Sequence, residues 1–118
     1  MKKDDKIVRV VLKTDEYDLY VQALDMRTRI KYDYAIELIQ TQKVVSSKFV
    51  KKIQNTALYE VRISVGTNEY RTLLVTADNP NFMEATQVIL LNSFLKKDSK
   101  QYKREIEKAR TIIKKMED

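Results

Sequence analysis

Arg62 and Arg71 are the residues most able to do chemistry in this chain. Each stands inside an apolar, strand-like segment, and together they flank the single glycine, Gly66. If Leu58–Val65 and Tyr70–Ala77 pair across a hairpin at Gly66, the two guanidiniums lie on adjacent strands. A guanidinium is a planar fork of N–H donors, so two of them on one sheet suit a phosphate. The alternative is an ordinary cross-strand ion pair with the nearby Glu60 and Glu69. A second constellation follows the next apolar segment, where Phe94 and Leu95 precede Lys96 and Lys97. An aromatic ring beside cations can stack a nucleobase while the ammonium groups hold its phosphates. The same four residues also fit a core ring followed by a charged loop.

What the chain lacks narrows the chemistry further. It has no His and no Cys, which excludes imidazole acid–base catalysis, thiol catalysis, disulfides and Cys/His metal sites. Only carboxylates could bind a metal. No Gly-rich phosphate loop, nucleophile elbow or carboxylate-rich metal loop is present, so neither a metal nor another cofactor is expected. The absence of Cys fits a reducing compartment, and a cytoplasmic protein is expected. No apolar run approaches the ~18 residues of a membrane-spanning helix. The opening Met1–Asp5 has no apolar stretch behind its lysines, so no secretory signal is expected.

With 118 residues and 43% apolar content, the chain is expected to form one domain, residues 1–118, around one core. Lys and Arg number 23 against 17 Asp and Glu. The stretch from Lys96 to Lys115, which includes Lys100, holds nine of those cations and three acids, so it carries the whole excess of +6. A second basic stretch runs from Lys43 through Lys48, Lys51 and Lys52. Such patches suit a polyanion, most simply nucleic acid. They also suit a solvated face that keeps a small protein soluble.

The elements that must position these residues can be read from apolar spacing. KIVRVVLK, Lys6 to Lys13, predicts a strand buried on both faces or nearly so. Thr14 is a helix N-cap candidate, with Asp15 and Glu16 in the first turn. Helical spacing continues to Gln42, including Tyr17, Tyr20, Tyr32 and Tyr34. Two helices are preferred over one long helix, with the break near Met26–Thr28 and Thr28 capping the second. Val44–Thr56 reads as a connector with a helical turn around Phe49–Ile53. LYEVRISV, Leu58 to Val65, alternates cleanly as a strand. Gly66 makes a tight turn into the returning strand Tyr70–Ala77. Asp78–Asn81 is a turn cluster, and Thr86–Leu95 is a third consecutive strand. Asp98 or Ser99 caps a terminal helix whose stripe is Tyr102, Ile106, Ala109, Ile113 and Met116. The expectation is an α+β fold, with an N-terminal strand, two helices, a three-stranded antiparallel meander and a C-terminal helix.

LYEVRISV at Leu58–Val65, EYRTLLV at Glu69–Val75 and VILLNSFLKKDSKQYKREIEKA at Val88–Ala109 resemble the RelE/HigB-type toxins of bacterial toxin–antitoxin systems, and within them the phage-derived HigB-like branch. The likeness covers roughly Lys48 to Arg110. Two positions depart from the branch, which often has a His where Asn92 stands and a Pro near Tyr102. The resemblance implies a RelE-like fold and a metal-independent endoribonuclease that cuts mRNA, in many members on the ribosome. In that chemistry the substrate's 2′-OH attacks the adjacent phosphate. The resemblance also implies a helix-turn-helix antitoxin of the HigA kind. It assigns Arg62 and Arg71 to the scissile phosphate, where electrostatic stabilisation contributes most. Without His, proton transfer falls to other groups, and Lys96 and Lys97 are the candidates for a base. Lys48, Lys51, Lys52, Phe94 and Lys100 would bind RNA. A non-catalytic nucleic-acid-binding or protein-docking module on the same fold is the alternative.

Overall fold

Gly66 adopts φ of +61°, a backbone conformation that costs glycine least. With Thr67 it closes a two-residue hairpin on which the sheet is centred. The computed structural model describes residues 6–118. In chain order its elements are β1 (Val10–Lys13), α1 (Asp15–Gln22), α2 (Met26–Thr41), β2 (Val50–Lys52), β3 (Leu58–Val65), β4 (Asn68–Thr76), β5 (Gln87–Leu95) and α3 (Ser99–Glu117). Strands β3, β4 and β5 form the expected antiparallel meander. Two further strands extend it to five, in the order β1-β5-β4-β3-β2. The chain is thus a mixed α+β fold, with three helices and a five-stranded sheet among the described residues.

Of the two further strands, β1 was expected as a strand, but its length and burial differ from the sequence reading, and β2 was not expected. The segment expected to make a helical turn around Phe49–Ile53 instead contributes β2, which pairs antiparallel with β3 through Val50↔Val61 to Lys52↔Tyr59. Three residues, two of them lysine, are too short to show a period of two. The pairing comes from the open edge of β3. β1 is shorter than expected and is an edge strand, parallel to β5. Val10 and Leu12 are therefore half exposed rather than buried. An apolar run reads as a doubly covered strand only if something covers it.

The alternation in β3 separates two layers. Tyr59, Val61, Ile63 and Val65 join the cluster that holds α1 and α2, whereas Leu58 packs with Ala109 and Ile112 of α3. Thr14 caps α1 by accepting from the Tyr17 amide at 3.1 Å. The second helix starts earlier than expected. Asp25 caps it, accepting from Thr28 N–H at 3.0 Å, and Thr28 itself is buried inside the first turn. Asp98 caps α3. That helix buries Ala109 and Ile112, with Tyr102, Ile106 and Ile113 half-buried. Ile112 lay outside the predicted stripe because a helix on a sheet buries an arc of about 100° or more, wider than a coiled-coil seam. Met116 lies within that arc but on the last turn, and it is exposed.

A buried arginine joins distant segments of the first layer. Arg9 is 1% exposed. Its guanidinium donates to the carbonyls of Ile39 at 3.0 Å, Gln42 at 2.6 Å and Lys43 at 2.5 Å, and Nε donates to Phe82 O at 3.1 Å. It also lies 4.2 Å over the Phe82 ring. The last turn of α2 holds no basic residue of its own, so Arg9 satisfies carbonyls that a helix end leaves without partners. Arg9→Met strands two buried acceptors, Ile39 O and Phe82 O, and the part-buried carbonyls of Gln42 and Lys43, and unfolding free energy should fall by on the order of 3 kcal/mol. Urea denaturation at unchanged slope should show the loss. Arg9→Lys should recover little, because an ammonium cannot span these acceptors.

Candidate nucleic-acid interface

The register of the central hairpin places Arg62 directly opposite Arg71. Directly opposed residues share one face of a sheet, here the face that packs α3. Glu60, two residues before Arg62, shares it. The Glu60 carboxylate accepts from Arg62 Nε at 2.6 Å and lies 3.7 Å from Arg71 Nε. Its other oxygen accepts from the Tyr102 hydroxyl on α3. Arg71 also lies 3.4 Å from Glu69 and donates to Tyr70 O at 2.9 Å. Both readings of the arginines therefore meet in one cluster: they are paired with Glu60 and Glu69, and they converge on the same point.

Exposure separates their roles. The Arg71 side chain is 7% exposed, whereas Arg62 is 35% exposed. Arg62 reaches Glu60 through Nε, and its side chain is the more open of the two to solvent. From behind, Ser93 Oγ donates to Arg71 O at 2.8 Å and accepts from Thr72 at 2.9 Å, with the Tyr32 hydroxyl 2.7 Å away. Arg71 is thus fixed at both side chain and main chain.

The charges inside the cluster cancel, two guanidiniums against two carboxylates. Burial acts most strongly on Glu60 and raises its pKa. The Tyr102 hydroxyl, the Arg62 hydrogen bond and the two arginine charges together outweigh it and hold the carboxyl below its ordinary value. The Tyr102 phenol is pushed up by its own burial first and then by Glu60. It is a hydrogen-bond donor and a poor acid.

The lysines are distributed around this centre. Lys51 stands opposite Glu60 in the ladder and so on the same face, whereas Lys52 stands opposite Tyr59 and lies 5.9 Å over that ring. Two clefts meet at Arg62. One is shared with Lys51, Lys52, Glu60 and Tyr102, and the other with Lys31, Lys48 and Arg71. Lys96 begins the segment after β5, its amide donating to Glu69 O at 2.8 Å. Its charge, after the Ser64 hydroxyl and Arg71, helps hold Glu69 low. Lys97 and Lys100 are exposed at the start of α3, and no contact joins them to the arginines among the described residues. Phe94 is not at the rim. It is 4% exposed, in the α3 layer, with its ring 6.0 Å from that of Tyr102. It supports Tyr102 and offers no open face to a base. The site residues that the sequence reading passed over are Glu60, read only as an ion-pair partner, and Tyr102, read only as core. Their signals were the two-residue spacing from Glu60 to Arg62 and a hydroxyl on an otherwise aliphatic stripe.

A family model described as phage-derived protein Gp49-like (DUF891) matches residues 19–114. The chain belongs to the phage-derived Gp49-like family. That family is associated with toxins of toxin–antitoxin systems. The matched span runs from within α1 to near the end of α3, so it includes every residue of the arginine cluster in the Gp49-like chain. No curated protein and no solved structure matches it. No helix among the described residues is long and apolar enough to cross a membrane.

Because the folded value of Glu60 lies below its ordinary 4.5, its ionised form contributes stability above about pH 4.5 that is lost as the pH falls through the folded value. Unfolding free energy should decline along that limb. Glu60→Gln should flatten it in part, since Asp25, Asp78 and Glu69 are also held low. Denaturant melts from pH 3 to pH 7, roughly the range over which carboxylates titrate, would check this. An acid limb identical in both proteins would refute the assignment.

Proposed function

We propose that this Gp49-like chain is the toxin of a toxin–antitoxin module and a metal-independent endoribonuclease acting on mRNA. The observation that carries the reading is the opposed Arg62–Arg71 pair, two guanidiniums whose Nε atoms converge on one anionic seat that Glu60 occupies. A scissile phosphate offers the same kind of oxygens and an equal or greater charge. Arg62, the more exposed of the two, meets the phosphate first, and Arg71 holds the developing charge from a fixed position.

The step is a transesterification. The 2′-oxygen bonds to phosphorus, the bond from phosphorus to the 5′-oxygen breaks, and the products are a cyclic 2′,3′-phosphate and a free 5′-hydroxyl. Glu60 takes the proton from the 2′-OH. It is ionised at neutral pH. Once the phosphate shares the guanidiniums, the charges that hold its pKa down are partly diverted and it becomes more basic. Tyr102 orients the carboxylate. Lys96, beside Glu69, supplies the proton to the leaving 5′-oxygen, and Lys97 and Lys100 bind the strand further along. In this reading Glu60 is the base, in place of Lys96 or Lys97. Cleavage on the ribosome and a helix-turn-helix antitoxin encoded in the neighbouring reading frame complete the proposal.

Cleavage of mRNA, on translating ribosomes and alone, tests it. Arg62→Ala and Arg71→Ala should each lose on the order of 10²–10³ in rate, by analogy with removing one oxyanion donor. Arg71→Lys should recover little, because it lacks the planar fork. Wild-type rates in both alanine variants, at matched folded content, would make the arginines structural. A wild type that never cleaves but binds RNA would favour the non-catalytic module.

RNA binding should be electrostatic at its base. With about four phosphates contacted by Lys48, Lys51, Lys52 and the α3 lysines, log K should fall with log salt at a slope near roughly −3 for a single strand. A slope near zero would reduce the basic patches to solvated faces.

A further inference from the structure

The burial of Phe94 leaves base stacking without a residue, yet two other rings beside the arginines are open. Tyr34 on α2 is 62% exposed, and Phe49, just before β2, is 47% exposed. Neither belongs to a buried cluster. Both line the cleft that Arg62 and Arg71 also line, with an open volume of about 330 Å³, at the small end for ligand sites. Lys31 and Lys48 add their cations to this lining, beside Arg62 and Arg71, whose charges Glu60 and Glu69 balance. Exposed aromatic rings set among cations and contiguous with an anion seat are the parts of a single-strand nucleic-acid site.

We infer that this cleft is a nucleotide subsite, holding the unpaired base next to the scissile phosphate on Tyr34 and Phe49. The inference rests on the endoribonuclease reading and names where its substrate's base goes. A base in a duplex hides both faces in the stack, so the ligand is single-stranded RNA. Every base has a π-face, so the rings accept different bases, while Lys31 and Lys48 neutralise the flanking phosphates. The competing occupant is an extended protein segment. β2 begins at Val50 opposite Val61, and the pairing stops where the Arg62 amide reaches Phe49 O, so among the described residues Ser64 has no strand partner on that side. The rings and the link to both arginines favour the nucleotide.

The test compares pentauridylate with the same oligomer made abasic at its central position, binding to wild type, Tyr34→Ala, Phe49→Leu and Arg62→Ala. Wild type should prefer the intact oligomer by roughly 5- to 150-fold, the range for stacking one base. Tyr34→Ala and Phe49→Leu should lose most of that preference and bind the abasic oligomer as wild type does. Both side chains are exposed, and circular dichroism would verify the fold. Arg62→Ala should weaken both oligomers. A wild type without preference, with Arg62→Ala still weakening both, overturns the subsite and leaves the endoribonuclease reading standing. If Arg62→Ala weakens neither, both fall. Protection of the Ser64 amide from hydrogen exchange by a Glu-rich decapeptide that pentauridylate does not displace would give the cleft to a protein strand. A wild-type dimer in sedimentation that becomes monomeric in both aromatic variants would give it to a second copy. Either result overturns the inference.

Discussion

Glu60 is nine-tenths out of water and ionised, a state that an isolated carboxylate in a protein interior would not keep. Three elements make that state possible: Arg62 from β3, Arg71 from β4 and Tyr102 from α3. The carboxylate therefore joins the central hairpin to the helix that covers it. Buried charge clusters are seldom more stabilising than apolar residues of the same volume. Keeping four charges at this point of the sheet makes sense where an anion is to be received.

Arg71 is held by two faces of the sheet at once. Its side chain answers to Glu60 and Glu69 on the α3 side, while its carbonyl accepts from Ser93, which belongs to a buried hydroxyl chain on the α2 side. That division depends on an irregularity in β5. Leu73 pairs with Asn92 and Leu74 with Leu90, so Leu91 has no partner in the ladder. The extra residue reverses the alternation. Before it, Val88 and Leu90 face α1 and α2. After it, Ser93 and Leu95 do, and Phe94 turns to the α3 side.

What was legible in the sequence follows from this. LYEVRISV and Gly66 specify a hairpin by periodicity and turn chemistry alone, and the pairing of Arg62 with Arg71 follows from counting outward from the turn. The caps at Thr14 and Asp98 were legible because an N-cap is a local signal. The contribution of Val50–Lys52 was not, since an edge strand of three residues exists only because β3 offers it partners. Nor was the position of Phe94, because a bulge leaves no mark on apolar spacing yet moves every later residue to the other face. Of the two exposed rings, Tyr34 reads only as part of a helical spacing and Phe49 as part of a connector. Nothing in a sequence says which aromatic on a helix faces a cleft that a distant strand completes.

The parallel pairing of β1 with β5 also bears on the order of assembly. Thr14 reaches Leu91 across 77 residues of chain, and Arg9 waits for Phe82 and Met83 in the same way. Contacts that close such long loops form late, after the local hairpin that brings the arginines together. On an emerging chain the guanidinium pair would thus stand in place first, with the start of the chain still unpaired and Tyr102 not yet made. The seat is built early and closed last.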